Sequence, residues 1–357
     1  PVLALLDDED LDVAGAAAQR LYLMGRAAEP AVPKLIELAL NAPEHGAEPF
    51  ITGLANMPEL SLPRVREVLE SATQADAKFQ AMLRVVELMG DEAAELAPLL
   101  MDLVWSSDSK IGFTLASSAL GAVSAGDPEM IQQLLDLAAQ ADGVPRSAAI
   151  DALGYIGPPV GAAAEELWQY TLDESRPVRI SALEALESIG YRPEEHVDEL
   201  VALTGDPDLG PTALRILSTV PAAAEDQLLE LFEQSDDAGR MDIYLTLYRG
   251  GADPALLVEL LLKVMDSDDP VIVYQATRLM RDLGPPAAPA VPRLIELLST
   301  GNDAQIEMAI FTLGFIGPGA EEAVPALEGL AEHAVHGDKA RWAIVRITDP
   351  ENATPLP

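Results

Sequence analysis

Apolar and small residues recur along this chain in short stripes, each with the spacing of one face of an α-helix. Ahead of Gly190 the stripe is Ala182, Ala185, Leu186 and Ile189, which lie eight, five, four and one residues before the glycine. Those offsets fall on one side of a 3.6-residue turn. Beyond the glycine a second stripe runs through Leu200, Val201 and Leu203. The same order returns at Ile272 to Leu298, where a helical pattern meets Gly284-Pro285-Pro286 and a second helix opens at Ala290-Val291-Pro292. It returns again as Ala309, Thr312, Leu313, Ile316, Gly317-Pro318 and Ala323-Val324-Pro325-Ala326-Leu327. Near the start, Ala17, Leu21, Met24 and Gly25 precede Ala31-Val32-Pro33-Lys34-Leu35-Ile36-Glu37-Leu38.

The hinge markers fall at Gly25, Pro58, Gly90, Ser124, Gly157, Gly190, Pro221, Gly251, Gly284, Gly317 and Thr348, between 30 and 34 residues apart. A register kept over eleven markers is an internal repeat, and the copy at Gly251 fits it least well. Small residues in the first stripe let neighbouring helices approach closely. The hinge glycine can take the left-handed conformation that ends a helix, and the proline after it prevents continuation. Proline eight residues past the hinge (Pro33, Pro98, Pro292, Pro325) suits the first turn of the second helix, where a missing N–H costs nothing. Between copies lie Asp108, Asp142, Asp206-Pro207, Asp236-Asp237, Asp269-Pro270 and Asn302-Asp303. They read as helix caps, because none has the alternating oxygen ligands and closing glutamate of a calcium loop.

Two helices in about 32 residues, with the Ala-Val-Pro-x-Leu opening and an ending such as Ala152-Leu153-Gly154-Tyr155-Ile156-Gly157, resemble HEAT repeats, especially the short variety found in phycobilisome-lyase-like proteins. The resemblance covers essentially the whole chain. It implies an all-α fold: a right-handed α-solenoid, or α-α superhelix, of about ten helical pairs over 1–348, with 349–357 as a tail. The family's Val-Arg pair stands clearly only at Val178-Arg179 and partly at Pro145-Arg146, so its aspartate–arginine ladder is not expected along the array. The opening Pro1-Val2-Leu3-Ala4-Leu5-Leu6 matches Pro33 to Leu38 in phase, so the chain reads as beginning in mid-repeat, a piece of a longer protein.

Charge narrows the partners. With 59 acidic residues against 22 basic, the net charge is −37. Such a field repels phosphate backbones and anionic lipids and draws in a basic partner; adaptation to salt would produce the same excess. No apolar run is long enough to span a membrane. The chain reads as soluble, cytoplasmic by default, with export left open. There is no cysteine, hence no disulfide, thiolate ligand or cysteine nucleophile.

Candidate chemistry is sparse. His333 and His336, three residues apart beside Glu332, could share a helix face as metal ligands, but neither His45 nor His196 belongs to a second cluster. HEAT-like deoxyhypusine hydroxylases use repeated His-Glu pairs for iron, whereas here the order is Glu44-His45, Glu195-His196 and Glu332-His333. There is no nucleophile elbow, phosphate loop or basic aromatic channel. No catalytic, cofactor or metal residue is therefore expected, and a lyase-like or metal-dependent enzyme is the minority alternative.

Surface remains. In a HEAT array the second helices line the concave side, and their non-core positions carry Lys34 and Glu37, Asp102, Glu166 and Gln169, Glu199, Glu230 and Glu233, Glu259, and Arg293 and Glu296. This mostly acidic stripe points to a protein–protein interaction scaffold for a basic segment, as acidic arrays such as karyopherins grip theirs. A structural spacer, packed on the missing N-terminal part of its own chain, is the second reading. Trp105, at the end of a second helix, and Tyr244 and Tyr248, one turn apart in the irregular copy, are the candidate docking aromatics; Trp168 and Tyr170 fall on core positions.

Overall fold

The computed structural model describes residues 2–42, 46–71, 77–106, 110–124 and 126–352, and among them every regular element is a helix. The chain divides into two compact units, Pro1–Tyr191 and Arg192–Pro357. In the first, helix–hinge–helix pairs follow one another: Leu11–Ala18 with Val32–Asn41, Glu48–Ala55 with Pro58–Ser71, Ala77–Met89 with Ala97–Ser106, Lys110–Ser124 with Pro128–Gln140, and Gly143–Ile156 with Ala164–Gln169, then the helix Arg176–Ser188. The second opens on Val197–Leu203 and continues Gly210–Leu217 with Pro221–Gln234, Asp237–Arg249 with Pro254–Val264, Pro270–Leu283 with Val291–Thr300, and Asp303–Ile316 with Val324–Leu330, ending in Gly337–Thr348. This is the repeating plan of an all-α solenoid.

The sequence pattern maps onto these elements residue by residue. Ala182, Ala185, Leu186 and Ile189 are buried, as are Val197 and Leu200. All seven hinge glycines of the repeat register have positive φ, Gly251 included at 78°. That conformation costs an L side chain energy and glycine nothing, so the helix ends there and the chain turns. After most of these glycines a 3₁₀ turn, such as Pro285–Ala290, leads into the second helix, where Pro292 sits in the first turn. The non-glycine markers behave differently. Pro58 and Pro221 are the first residues of their second helices, and near Ser124 it is Gly126 that takes positive φ. At the start, Leu3–Asp7 is a 3₁₀ turn rather than the α-helix its phase suggested; only Leu6 of it is buried, too little apolar contact to hold a full helical turn.

First helices stack directly on one another. A Cβ on Gly154 would lie 2.9 Å from Ala185 Cα, so only a missing side chain permits that approach. Capping follows the acids between copies: Asp236, Asp269 and Asn302 accept from Gly239, Val271 and Gln305 N–H groups, and Asn302 with Gln305 forms a full capping box. Asp206 accepts from the Asp208 and Leu209 N–H groups. Asp142 departs from this, since its side chain caps nothing and instead lies 3.2 Å from the Arg146 guanidinium. Asp108 lies outside the described residues.

Candidate functional site

The second helices carry the acidic positions, and their alternation of apolar and polar residues turns those acids outward. In Pro1–Tyr191, Glu37, Asp102, Glu166 and Gln169 are exposed. Glu37 is 3.5 Å from Lys34, which also reaches Asp7 at 3.3 Å. Asp102 and Glu166 meet no cation among the described residues. In Arg192–Pro357, Glu199, Glu230, Glu233, Glu259 and Glu296 are exposed too. Lys263 bridges Glu233 at 2.6 Å and Glu259 at 3.2 Å, which raises the ammonium's pKa and lowers that of the Glu233 carboxyl. Arg293 pairs with Glu296, Glu230 accepts from Gln234 at 3.3 Å, and Glu199 lies 3.7 Å from His196. In each unit these carboxylates are exposed, and several are paired with bases of the same unit. The sequence placed Lys34 and Arg293 in the stripe but not Lys263, which stands four residues from Glu259 on the same helix face.

The aromatic candidates separate. Tyr244 is 0% exposed, packed in the core, and so is not a surface anchor. Tyr248, 46% exposed, stacks on it with ring centroids 6.1 Å apart. The pair follows the i, i+4 rule, but Tyr244 faces the neighbouring helices and Tyr248 the edge of that seam. Among the described residues the buried Tyr244 hydroxyl has no hydrogen-bond partner, and burial pushes its pKa up. An unsatisfied buried hydroxyl costs about 1–3 kcal/mol. Tyr244→Phe, which keeps the ring, should therefore raise unfolding stability by about 1 kcal/mol in a urea titration. Trp105 belongs to the helix Ala97–Ser106, and its side chain lies outside the described residues. Trp168 is buried, and Tyr170 lies under the Arg146 guanidinium, 5.5 Å from ring centroid to Cζ.

The histidine pair is stacked rather than turned toward a common point. The His333 and His336 rings lie parallel, 13° apart with centroids at 4.9 Å, so their in-plane lone pairs do not converge. His336 Nε2 is 3.4 Å from Asp303, and His333 Nδ1 accepts from the Val335 N–H. Among the described residues no three His, Asp or Glu side chains cluster as ligands. Glu44 and His45 lie outside the described residues.

Two features were not visible in the sequence. One rung of the ladder that was not expected exists: Arg146 pairs with Asp173 at 2.5 Å across neighbouring repeats, with side-chain exposures of 19% and 12%. Arg179 donates to the Asp173 and Glu174 carbonyls beside it. The other is Asp151, on the first-helix face, whose pKa is pushed up to about 6 by burial, against the Ser181 hydroxyl that donates to it and with the Glu184 carboxylate adding to the rise.

No family model matches the sequence, and no curated protein matches it significantly. Solved structures do. The karyopherin Kap121p, in a structure bound to the extreme C-terminus of the protein phosphatase Cdc14p, matches 98% of this chain with 46% of its own at 14% identity and a TM-score of 0.56. The same karyopherin bound to the SUMO protease Ulp1p matches 97% with 45% of its own at 15% identity and a TM-score of 0.52. Kap95p, from a structure concerned with the switch loops of RanGDP, matches 96% with 52% of its own at 13% identity and a TM-score of 0.56. The chain spans about half the length of each. In fold, the chain is a HEAT-like α-solenoid.

Proposed function

We propose that this chain is a non-catalytic scaffold that holds a protein partner, and that the partner presents a basic segment to the exposed carboxylates of the second helices. One observation carries the reading: in four successive repeats of a single compact unit the second helix exposes one or two carboxylates, eight, nine or twelve residues past the hinge, as Glu199, Glu230 with Glu233, Glu259 and Glu296. The net charge of −37 adds a field that steers cations inward. The similarly folded karyopherin Kap121p is bound to protein partners in both structures named above, which supports protein rather than small-molecule binding.

The repeat also sets a spacing for the guest. Packed helices stand roughly 8–10 Å apart, and an extended peptide advances roughly 3.3–3.6 Å per residue. A guest lying across successive second helices therefore meets a carboxylate about every third residue. A labelled peptide with lysine at every third position should bind more tightly than one with the same lysines bunched at one end. Its affinity should fall about tenfold between low and high salt, because exposed charges are screened. Lys263→Gln should tighten binding by up to about fivefold, by releasing Glu233 and Glu259. An affinity indifferent to salt and to lysine spacing would overturn the reading.

A further inference from the structure

The bases of this chain are scarce, and nearly all of those described are used internally. Among the described residues, the guanidinium groups of Arg20, Arg26, Arg249 and Arg278 reach no acceptor. Unpaired arginines are unexpected where acids outnumber bases 59 to 22. Two of them, Arg249 and Arg278, are exposed on the neighbouring first helices Asp237–Arg249 and Pro270–Leu283, and Tyr248 is exposed near the end of the former.

Their proximity follows from the repeat register. Arg249 lies two residues before the hinge Gly251, and Arg278 six before Gly284. The same two positions in the last repeats are Phe315 and Trp342, whose ring centroids are 5.8 Å apart. The equivalent pair in the other unit is Tyr155 and Glu184; burial chiefly raises the Tyr155 pKa, and the charges of Asp151, Glu87 and Glu184 add to the rise. Asp282, one turn beyond Arg278, likewise acts on the Tyr244 phenol, which puts the end of the Pro270–Leu283 helix against the tyrosine pair. The Asp282 carboxylate pairs with Arg281 at 2.8 Å and, among the described residues, makes no ion pair with Arg278.

We infer that Tyr248, Arg249 and Arg278 form a second docking surface, on the first-helix face, for a short protein segment that carries a carboxylate next to an apolar or aromatic side chain. Two unpaired guanidiniums offer forked donors matched to a carboxylate. Tyr248 is held outward by its stack on the fixed Tyr244 ring, so a neighbouring side chain can pack on it with little loss of rotamer freedom. Tyrosine and arginine are also the residue types in which interface binding energy concentrates. The surrounding field decides the partner class. A nucleic acid would be repelled along its whole length, whereas exposed charges beyond about 8 Å from one carboxylate are screened at physiological salt. This surface does not depend on the acidic stripe, which lies on the other helices of the same repeats.

The test is fluorescence anisotropy with a labelled peptide bearing Glu-Phe-Glu between Gly-Ser flanks, titrated with the whole chain. Binding is expected, and both the Arg249→Gln/Arg278→Gln variant and a Gln-Phe-Gln peptide should weaken it by about tenfold or more. Glu233→Gln/Glu259→Gln, on the second-helix face, should leave it unweakened while impairing the lysine peptide described above, so the two surfaces fail separately. Among the described residues neither guanidinium makes a hydrogen bond or ion pair, so thermal melts of the double variant should nearly overlay those of the parent. The inference is overturned if the Glu-Phe-Glu peptide does not bind, if the arginine variant binds it undiminished, or if a single-stranded oligonucleotide binds through the same two arginines instead.

Discussion

Asp173→Ala should lower the unfolding free energy by about 2–4 kcal/mol, measured as a drop in urea midpoint with the slope unchanged. The carboxylate is shielded between neighbouring repeats, where it meets Arg146 at 2.5 Å and accepts from the Ser175 N–H at 2.7 Å. Arg146 is fixed from other directions as well, donating from Nε to the Ala138 carbonyl at 2.9 Å and lying over the Tyr170 ring. It cannot swing into water when its partner is deleted. The loss is that of a half-desolvated cation left with only the exposed Asp142 carboxylate at 3.2 Å, which exceeds the small value of an exposed ion pair. By contrast Glu67→Ala, which removes the exposed partner of Arg64 at 2.5 Å, should cost less than about 0.5 kcal/mol. Equal effects from the two substitutions would mean that burial does not govern the Asp173 pair.

Asp151 should make the protein less stable as pH rises from about 4 to 7. Its carboxyl, with an ordinary value of 3.8, is pushed up to about 6 in the folded chain, chiefly by burial. The folded state therefore holds the proton more tightly than the unfolded state does, and stability falls as the pH climbs through the folded value. The full difference is on the order of 2–3 kcal/mol between the protonated and ionised forms. Asp151→Asn keeps the shape and the Ser181 contact but carries no charge. It should flatten this part of the pH profile and leave the variant more stable than the parent at pH 8. If the parent and Asp151→Asn curves run parallel from pH 4 to 8, the buried carboxylate is not the cause.

The repeat was legible because each copy writes its own punctuation. A glycine that must turn left-handed, a proline that can only open a helix, and small residues at the seam are all local demands, and Gly284-Pro285-Pro286 with Pro292 states the first two in nine residues. Where the punctuation is missing, as at Pro58 and Pro221, the register still held but the conformation of the hinge did not follow from it. The site was less legible for a different reason. Exposure of Glu37 or Glu259 follows from helical phase, whereas the pairing of Arg146 with Asp173, 27 residues away, depends on how one repeat seats on the next. Tyr244 shows the same limit: it occupies the right helix and the right turn for an anchor, but one rotation toward the neighbouring helix buries it. A single aromatic type gives no sign of which side of that seam it takes.

The hinge glycines have a consequence for how damage spreads. Gly157, Gly190, Gly251 and Gly284 each close a helix with hydrogen bonds to the preceding turn, as Gly284 does to the Met280 and Arg281 carbonyls, so no distant segment is needed to hold them. A chain assembled from such self-closed modules responds to injury as a row does rather than as a sphere, with cooperativity decaying from one neighbour to the next. Amide exchange in Asp173→Ala should accelerate around Arg146 and Arg179 while the protons near Trp342 keep the parent's rates.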